Sequence, residues 1–113
     1  MKKRILVVDD DPGYQDLFEL LARDSDVMIE RCLNPMTALS IITQNEFDMI
    51  FIDQVMPDIT GDCLAKRIRA INPTVPIYIV TNYPKDFLNF DEKVGRVISK
   101  WDFVSRVGEL LCA

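Results

Sequence analysis

Short apolar runs alternate with segments of helical periodicity along this chain, and this alternation limits the fold more than any other feature of the sequence. The apolar runs occupy residues 3–9, 27–32, 47–53, 77–81 and 94–99. Runs such as ILVV and MIFI are apolar at successive positions, which indicates strands that are buried on both faces. Such strands occur in parallel sheets that helices cover on both sides, so the alternation predicts an α/β fold.

Four other segments place apolar residues at the 3.6-residue spacing of an amphipathic helix. Their apolar faces consist of Tyr14, Leu17, Phe18 and Leu21, then Ala38, Leu39 and Ile42, then Leu64, Ile68 and Ile71, and finally Phe103, Val104, Val107 and Leu111. Residues 82–93 fit no long helical stripe, so we expect a short helix or an irregular loop there. Alternating strands and helices form a parallel sheet with right-handed crossovers, which predicts a three-layer α/β sandwich with five strands.

Composition narrows the class of protein. The chain has 113 residues, 49% of them apolar, which predicts a single domain over residues 1–113 with a substantial core. Thirteen basic residues lie scattered among eighteen acidic ones, so direct nucleic-acid binding is not expected. The apolar run after MKKR is too short for a signal peptide, and none approaches the ~20 residues of a membrane span. Three cysteines without any histidine indicate reduced thiols in a cytoplasmic protein.

Polar side chains with complementary chemistry follow the predicted strands. Asp9 and Asp10 follow the first strand, Asp53 ends the third, Thr81 ends the fourth and Lys100 follows the fifth. Each alone is unremarkable as a turn, a cap or a solvated charge, but the carboxyl ends of parallel strands meet at one edge of a sheet. Clustered carboxylates without histidine or thiolate suit Mg²⁺. A metal beside a carboxylate, a hydroxyl and a lysine suits phosphoryl transfer, in which aspartate can itself accept the phosphoryl group.

The motifs around these residues resemble those of response-regulator receiver domains of bacterial two-component signalling. The motifs are ILVVDDDP, FIDQVMPDITG, IVTNY and VISKW, and the resemblance runs over essentially the whole chain. It implies a flavodoxin-like sheet in the order 2-1-3-4-5. It also implies a signalling switch rather than an enzyme with a separate substrate, with a fourth helix, here short or irregular, in residues 82–93.

The resemblance implies a role for each residue of the site. Asp53 would accept a phosphoryl group from a histidine kinase or a phosphotransfer protein. Asp10 and Asp53 would bind Mg²⁺ directly, with the backbone carbonyl of Val55 as a further ligand and with Asp9 contributing directly or through water. Asp11 is assigned to the turn that ends the first strand.

Lys100 and Thr81 would act on the phosphoryl group itself. Lys100 would pair with a phosphoryl oxygen, and the Thr81 hydroxyl would donate a hydrogen bond whose movement transmits the signal. The change would reach a downstream output protein or a fused output domain. Dimerisation, which family members use, is not assumed here because residues 82–93 are short.

Three departures from the family pattern affect this output. Trp101 follows Lys100 where receivers usually have a proline in a cis bond, and a non-proline cis bond costs about 2.5–4 kcal/mol, so we expect a trans bond. Val97 stands where an aromatic side chain usually rotates. The stretch from Thr81 to Lys100 is shorter than usual. We interpret Trp101 as core packing against the last helix.

Three apolar side chains of residues 82–93, namely Phe87, Leu88 and Phe90, are likewise interpreted as core rather than as a docking surface.

Three other classes of protein share features with this sequence. A receiver-like interaction module that works without phosphorylation stays open, because the site residues are present while the output residues depart from the pattern. A magnesium-dependent phosphatase with an aspartyl nucleophile would carry an acid at the position of Val55. A flavin-binding protein would cradle phosphate after the first strand, where DDDP would repel it.

Overall fold

The apolar runs form a single parallel sheet. The computed structural model describes residues 2–112 and contains the strands β1 (Lys3–Val8), β2 (Val27–Cys32), β3 (Met49–Asp53), β4 (Ile77–Thr81) and β5 (Arg96–Ser99). All pairings are parallel, and the strand order is β2-β1-β3-β4-β5. The predicted flavodoxin-like sheet is therefore confirmed, although β3 and β5 each begin two residues later than their apolar runs.

Helices follow the strands as the periodicity predicts. They are α1 (Pro12–Ala22), α2 (Ala38–Gln44), α3 (Gly61–Ile71) and α4 (Lys100–Cys112), with short 3₁₀ helices at Pro35–Thr37 and Pro84–Phe87. The Asp11 carboxylate accepts a hydrogen bond from the Gly13 amide at 2.9 Å and begins α1. None of the helices within residues 2–112 is long and apolar enough to cross a membrane.

The two faces of the sheet carry two separate apolar cores. Side chains alternate along each strand, so Leu6 and Ile52 face one side while Val7 and Phe51 face the other. Helices α2 and α3 cover the first side, and α1 and α4 cover the second. Full burial of the central strands on both faces explains their uninterrupted apolar sequence and confirms the three-layer arrangement.

An aromatic cluster fills the core beneath α1 and α4. The rings of Phe18, Phe51 and Phe103 lie 5.2–5.3 Å apart in stacked and edge-on pairs. Tyr78 stacks on Phe51 at 5.2 Å, and Tyr14 lies 6.3 Å from Phe103 at the upper end of the cluster. Such pairs add about 0.5–1.5 kcal/mol each beyond the burial of their area, so the cluster fixes α1 and α4 relative to the sheet.

The connection between β4 and β5 is irregular, as predicted. Within the described residues it contains only the 3₁₀ helix Pro84–Phe87 where a full helix would otherwise cover this part of the sheet. Phe90 and Val94 pack against the core, and the Arg69 guanidinium of α3 donates two hydrogen bonds to the Val94 carbonyl at 2.9 and 3.1 Å. The prediction that Leu88 is core is wrong, because its side chain is 83% exposed; Phe87 is half-buried.

Trp101 does not pack in the core, so that interpretation is also wrong. The residue is 81% exposed, and the Lys100–Trp101 bond is trans like every peptide bond in residues 2–112. Helix α4 begins at Lys100 and turns Phe103 and Val107 towards the sheet. Trp101 precedes Phe103 by two residues, which is about 200° around a helix, so it faces solvent.

Truncation at these two positions on one helix is expected to have very different effects. Phe103→Ala removes the ring that joins the aromatic cluster and should lower the free energy of unfolding by about 3–5 kcal/mol. Trp101→Ala removes an exposed ring and should change it by less than about 0.5 kcal/mol. Urea unfolding followed by far-UV circular dichroism measures both. A loss above 2 kcal/mol for Trp101→Ala would contradict the exposed placement.

Candidate functional site

Strand register brings the predicted site residues to one edge of the sheet. Val8 pairs with Ile52 at the end of the β1–β3 ladder, so the next residues, Asp9 and Asp53, lie side by side. Thr81 ends β4 opposite Ser99, the last residue of β5. The sheet therefore presents two carboxylates and a hydroxyl at adjacent strand ends, and the first residue of α4 follows β5 at the same edge.

These strand ends line one pocket of about 450 Å³. All six residues predicted from the sequence contribute to its wall: Asp9, Asp10, Asp53, Val55, Thr81 and Lys100. One carboxylate oxygen from each of the three aspartates lies within 4.8 Å of the other two. The structure therefore brings the predicted residues together and converges the three acids on one point.

Asp9 is the most deeply buried of these acids. Its side chain is only 2% exposed, and its Oδ1 accepts a hydrogen bond from the Asp11 amide at 3.0 Å. Its Oδ2 is buried and has no hydrogen-bond partner among the described residues. Burial raises the pKa of Asp9 to about 6; the Asp11 amide opposes this rise and the neighbouring Asp53 carboxylate adds to it.

Asp53 is paired with a lysine across the pocket. The Lys100 Nζ lies 3.3 Å from the Asp53 Oδ1, and the aspartate is 7% exposed. Burial raises the pKa of Asp53, while the charge and hydrogen bond of Lys100 work in the opposite direction. The ammonium thus offsets part of the negative charge that the three carboxylates would concentrate at this edge.

The donor set fits a hard divalent cation. Asp9, Asp10 and Asp53 offer oxygen atoms only, and the Asp9 Oδ2, which has no hydrogen-bond partner among the described residues, is available to bind a cation. Mg²⁺ prefers carboxylate and water oxygens and keeps several waters, which the exposed side of Asp10 allows. These three residues could hold the ion, and Val55, whose carbonyl is the remaining predicted ligand, lines the same pocket.

Thr81 contributes a hydroxyl whose proton is free to be donated. The residue is 2% exposed, and its Oγ1 accepts a hydrogen bond from the Tyr83 amide at 3.0 Å. Because the oxygen acts as acceptor in this bond, its O–H remains available to a group in the pocket.

The loop after β3 holds Asp53 by contacts with the start of α3. The Gln54 side chain donates to the Asp62 carboxylate and accepts from the Asp62 amide, each at 2.9 Å. Gly61 lies so close to β3 that an added Cβ would meet the Asp53 carbonyl oxygen at 2.5 Å. A glycine at this position therefore allows α3 to begin directly against the backbone of Asp53.

Sequence reasoning missed Gln15 and the site contact of Tyr14. Gln15 is fully buried, and its amide donates to the carbonyls of Val7 at 2.9 Å and Asp9 at 3.1 Å. It ties α1 to the end of β1. A glutamine next to an apolar stripe is a weak signal that could have suggested this role. Tyr14 lines the pocket, but a tyrosine on an apolar helix face is normally read as core.

Fold and site together define a class of protein: an α/β domain of five parallel strands with an acidic pocket and a lysine at the carboxyl edge. The chain matches the family model described as response regulator receiver domain over residues 5–95. It belongs to that family, whose members are signalling switches of two-component systems and interact with histidine kinases and output domains.

Individual relatives agree with this assignment. The chain is 26% identical over 96 residues to sporulation initiation phosphotransferase F of Bacillus subtilis, covering 84% of this chain and 77% of that protein. It is 32% identical over 79 residues to the transcriptional regulatory protein ZraR of Escherichia coli, covering 70% of this chain. The match spans only 18% of the length of ZraR.

Solved structures share the fold over nearly the whole chain. The response regulator TrrA of Thermotoga maritima, solved in complex with Mg²⁺ and BeF, superposes with a TM-score of 0.81 at 26% identity and covers 98% of this chain and 99% of that one. The chemotaxis response regulator CheY4 of Vibrio cholerae also gives 0.81, at 21% identity, with coverage of 98% and 99%.

Two glycines allow a matched test of the close approach at Asp53. Gly61→Ala should lower the free energy of unfolding by at least about 2 kcal/mol, because backbone atoms must move to admit the methyl group. Gly108 is exposed in α4, and among the described residues no atom outside its own stretch of helix lies within 4 Å of an added Cβ. Gly108→Ala should therefore raise the free energy of unfolding by about 0.5–1 kcal/mol, because alanine has the higher helix propensity. Urea unfolding measures both changes, and equal effects of the two substitutions would contradict the close approach of Gly61 to the Asp53 backbone.

Removing the buried charge of Asp9 is expected to stabilise the metal-free protein. Asp9→Asn keeps an oxygen for the Asp11 amide and should raise the free energy of unfolding at pH 7.5 by about 1–3 kcal/mol. The folded pKa of about 6 exceeds the ordinary 3.8, so the native chain loses stability as pH rises from about 4 through 6. The variant should lack this part of the decline.

Unfolding curves in urea at pH 4.5, 6 and 7.5 measure this difference. Asp24→Asn is the control, because its carboxylate is 95% exposed and should leave the pH profile unchanged. Saturating Mg²⁺ should raise the free energy of unfolding of the native chain by more than it raises that of the Asp9→Asn variant, because a ligand that binds only the folded state adds stability. Parallel pH profiles for the native chain and Asp9→Asn would contradict the raised pKa.

Proposed function

We propose that this chain is a phosphoacceptor receiver module, which takes a phosphoryl group onto Asp53 in a magnesium-dependent reaction. One observation carries the proposal: the Asp53 carboxylate lies in a pocket where two further carboxylates converge on it while an ammonium stands 3.3 Å away. Membership of the receiver family supports the same role. The donor is a histidine kinase or a phosphotransfer protein.

The transfer needs a nucleophile, a balanced charge and a leaving group. A carboxylate oxygen of Asp53 attacks phosphorus as the phosphorus–nitrogen bond of the donor phosphohistidine breaks, and the donor imidazole takes the electron pair and a proton. Bound Mg²⁺ would supply positive charge against the phosphoryl oxygens. Asp9, Asp10 and the carbonyl of Val55 are its proposed ligands beside Asp53.

Lys100 and Thr81 respond to the transfer. When Asp53 becomes an acyl phosphate its carboxylate charge is lost, so the Lys100 ammonium shifts its pairing to a phosphoryl oxygen. The free O–H of Thr81 donates to another phosphoryl oxygen. Because the Thr81 Oγ1 also accepts from the Tyr83 amide at 3.0 Å, movement of this hydroxyl displaces the backbone that begins the β4–β5 connection.

That connection is the proposed route to an output. It exposes Leu88 and, with Phe90 and Val97, lines a groove of about 490 Å³. A change in this surface would alter the binding of an output protein or a fused output domain.

Intact mass spectrometry after incubation with acetyl phosphate and Mg²⁺ tests the proposed chemistry. The native chain should gain the mass of one phosphoryl group, and Asp53→Asn should gain none, because an amide cannot form the acyl phosphate. Omitting Mg²⁺ or adding a chelator should reduce the adduct by at least about tenfold, since uncompensated carboxylates repel the donor.

Asp58→Asn is the matched control, because Asp58 is an exposed acid in the same loop and asparagine tolerates its positive φ of 71°. It should be phosphorylated like the native chain. A native chain without an Asp53-dependent adduct would refute the proposal and leave the phosphorylation-independent interaction module as the better description.

A further inference from the structure

Tyr14 occupies a position in the pocket that neither the metal site nor the proposed chemistry explains. The residue lies in the first turn of α1, and its ring lies near both Phe103 of the aromatic cluster and Lys100 at the start of α4. The centroid distance to Phe103 is 6.3 Å, and the two ring planes differ by 32°. Packing against a fully buried ring restricts the orientation of Tyr14, which lines the pocket.

The face of the Tyr14 ring lies against the lysine of the site. The Lys100 Nζ is 4.9 Å from the ring centroid, within the range in which an ammonium is attracted by the negative face of an aromatic ring. The same nitrogen is 3.3 Å from the Asp53 Oδ1. A lysine side chain has four flexible carbons, so two partners restrict the position of its ammonium more than one would.

The hydroxyl of Tyr14 is also in an unusual environment. The Tyr14 Oη is buried and has no hydrogen-bond partner among the described residues. Burial raises the pKa of the phenol, and the charges of Asp9 and Asp53 raise it further, so the ring stays neutral at physiological pH. A phenylalanine would avoid the buried, unpaired hydroxyl but would keep the same ring face.

We propose that Tyr14 is a positioning residue, which holds the Lys100 ammonium over the phosphoacceptor through the face of its ring. This inference rests on the proposed phosphoryl transfer, to which the two partners of Lys100, the Asp53 carboxylate and the Tyr14 ring, respond differently. The charge on Asp53 disappears when the acyl phosphate forms, whereas the quadrupole of the ring is unchanged. Tyr14 therefore keeps the ammonium in place at the moment when its charged partner is lost and a phosphoryl oxygen arrives.

Substitutions of Tyr14 distinguish the effect of the aromatic ring face from the effect of side-chain volume. Tyr14→Leu removes the ring face, and the rate of phosphorylation by acetyl phosphate should fall about threefold to tenfold. Tyr14→Met tests the same loss with a more flexible side chain. Tyr14→Phe keeps the ring and should stay within about twofold of the native rate. Tyr78→Leu is the matched control, because Tyr78 stacks on Phe51 in the same core but does not line the pocket.

A spectroscopic signature reports the lysine position without any phosphorylation. In protein labelled with carbon-13 lysine, the ε-methylene protons of Lys100 should show an upfield ring-current shift in the native chain, Tyr14→Phe and Tyr78→Leu. The shift should vanish in Tyr14→Leu and Tyr14→Met, and Lys100→Met assigns the signal. A native Lys100 signal at the ordinary lysine position would overturn the placement.

A double-substitution cycle tests whether Tyr14 acts through Lys100. In the Lys100→Met background, Tyr14→Leu should leave the remaining phosphorylation rate within about twofold, because the group it positions is gone. An undiminished effect in that background would overturn the positioning role. Equal rates for the native chain and Tyr14→Leu would overturn only the role of Tyr14, whereas a native chain without an Asp53 adduct would overturn the proposed function as well.

Discussion

The register of β1 against β3 is the constraint on which the site depends. Both strands are buried on both faces, so any slip would place apolar side chains wrongly, and the pairing of Val8 with Ile52 is therefore fixed. That register sets Asp9 beside Asp53. The two carboxylates have oxygen atoms within 4.8 Å of each other, and unit charges at that separation repel by about 3.5 kcal/mol at an effective dielectric constant of about 20. Burial of the sheet offsets this repulsion, and Lys100 offsets part of it locally.

Backbone contacts then hold each acid where the register puts it. The Gln15 amide links the carbonyls of Val7 and Asp9, so the end of β1 cannot move independently of α1. Gln54 and Gly61 fix the start of α3 against the backbone of Asp53. Relieving the repulsion among the acids by moving a strand end would break these contacts, so a cation bound at the proposed metal site would be the less costly way to relieve it.

Much of the fold and site could be predicted from the sequence, because both follow from strand burial. Uninterrupted apolar runs specify central parallel strands, and the carboxyl edge of such a sheet brings Asp9, Asp53 and Lys100 together from distant positions. What failed was the orientation of side chains around helices. Trp101 is apolar enough to suggest core, yet its placement depends on where α4 begins, a boundary that periodicity leaves uncertain by one or two residues.

Polar residues inside the core escaped prediction for a different reason. Gln15 satisfies carbonyls that lie in another element, and no local pattern records that need. The sequence pattern places Tyr14 in an apolar helix stripe, and the Tyr14 ring does contact Phe103 in the core. Its other neighbour, Lys100, is 86 positions away in the sequence, and only the folded structure brings the ring face to the ammonium.

The irregular β4–β5 connection bears on how far a change at the site can spread. A full helix would resist displacement through its own ladder of backbone hydrogen bonds, whereas this segment relies on turn bonds and on the Arg69 contact with Val94. In the proposed switch, movement of the Thr81 hydroxyl would act on the first residues of this connection through its hydrogen bond with the Tyr83 amide. Few internal hydrogen bonds hold this connection. A change in one hydrogen bond at the pocket would therefore displace the exposed Leu88 surface more easily than it would displace a regular helix. The absence of a rotating aromatic at Val97 is therefore compatible with a switch that works through the backbone of this connection.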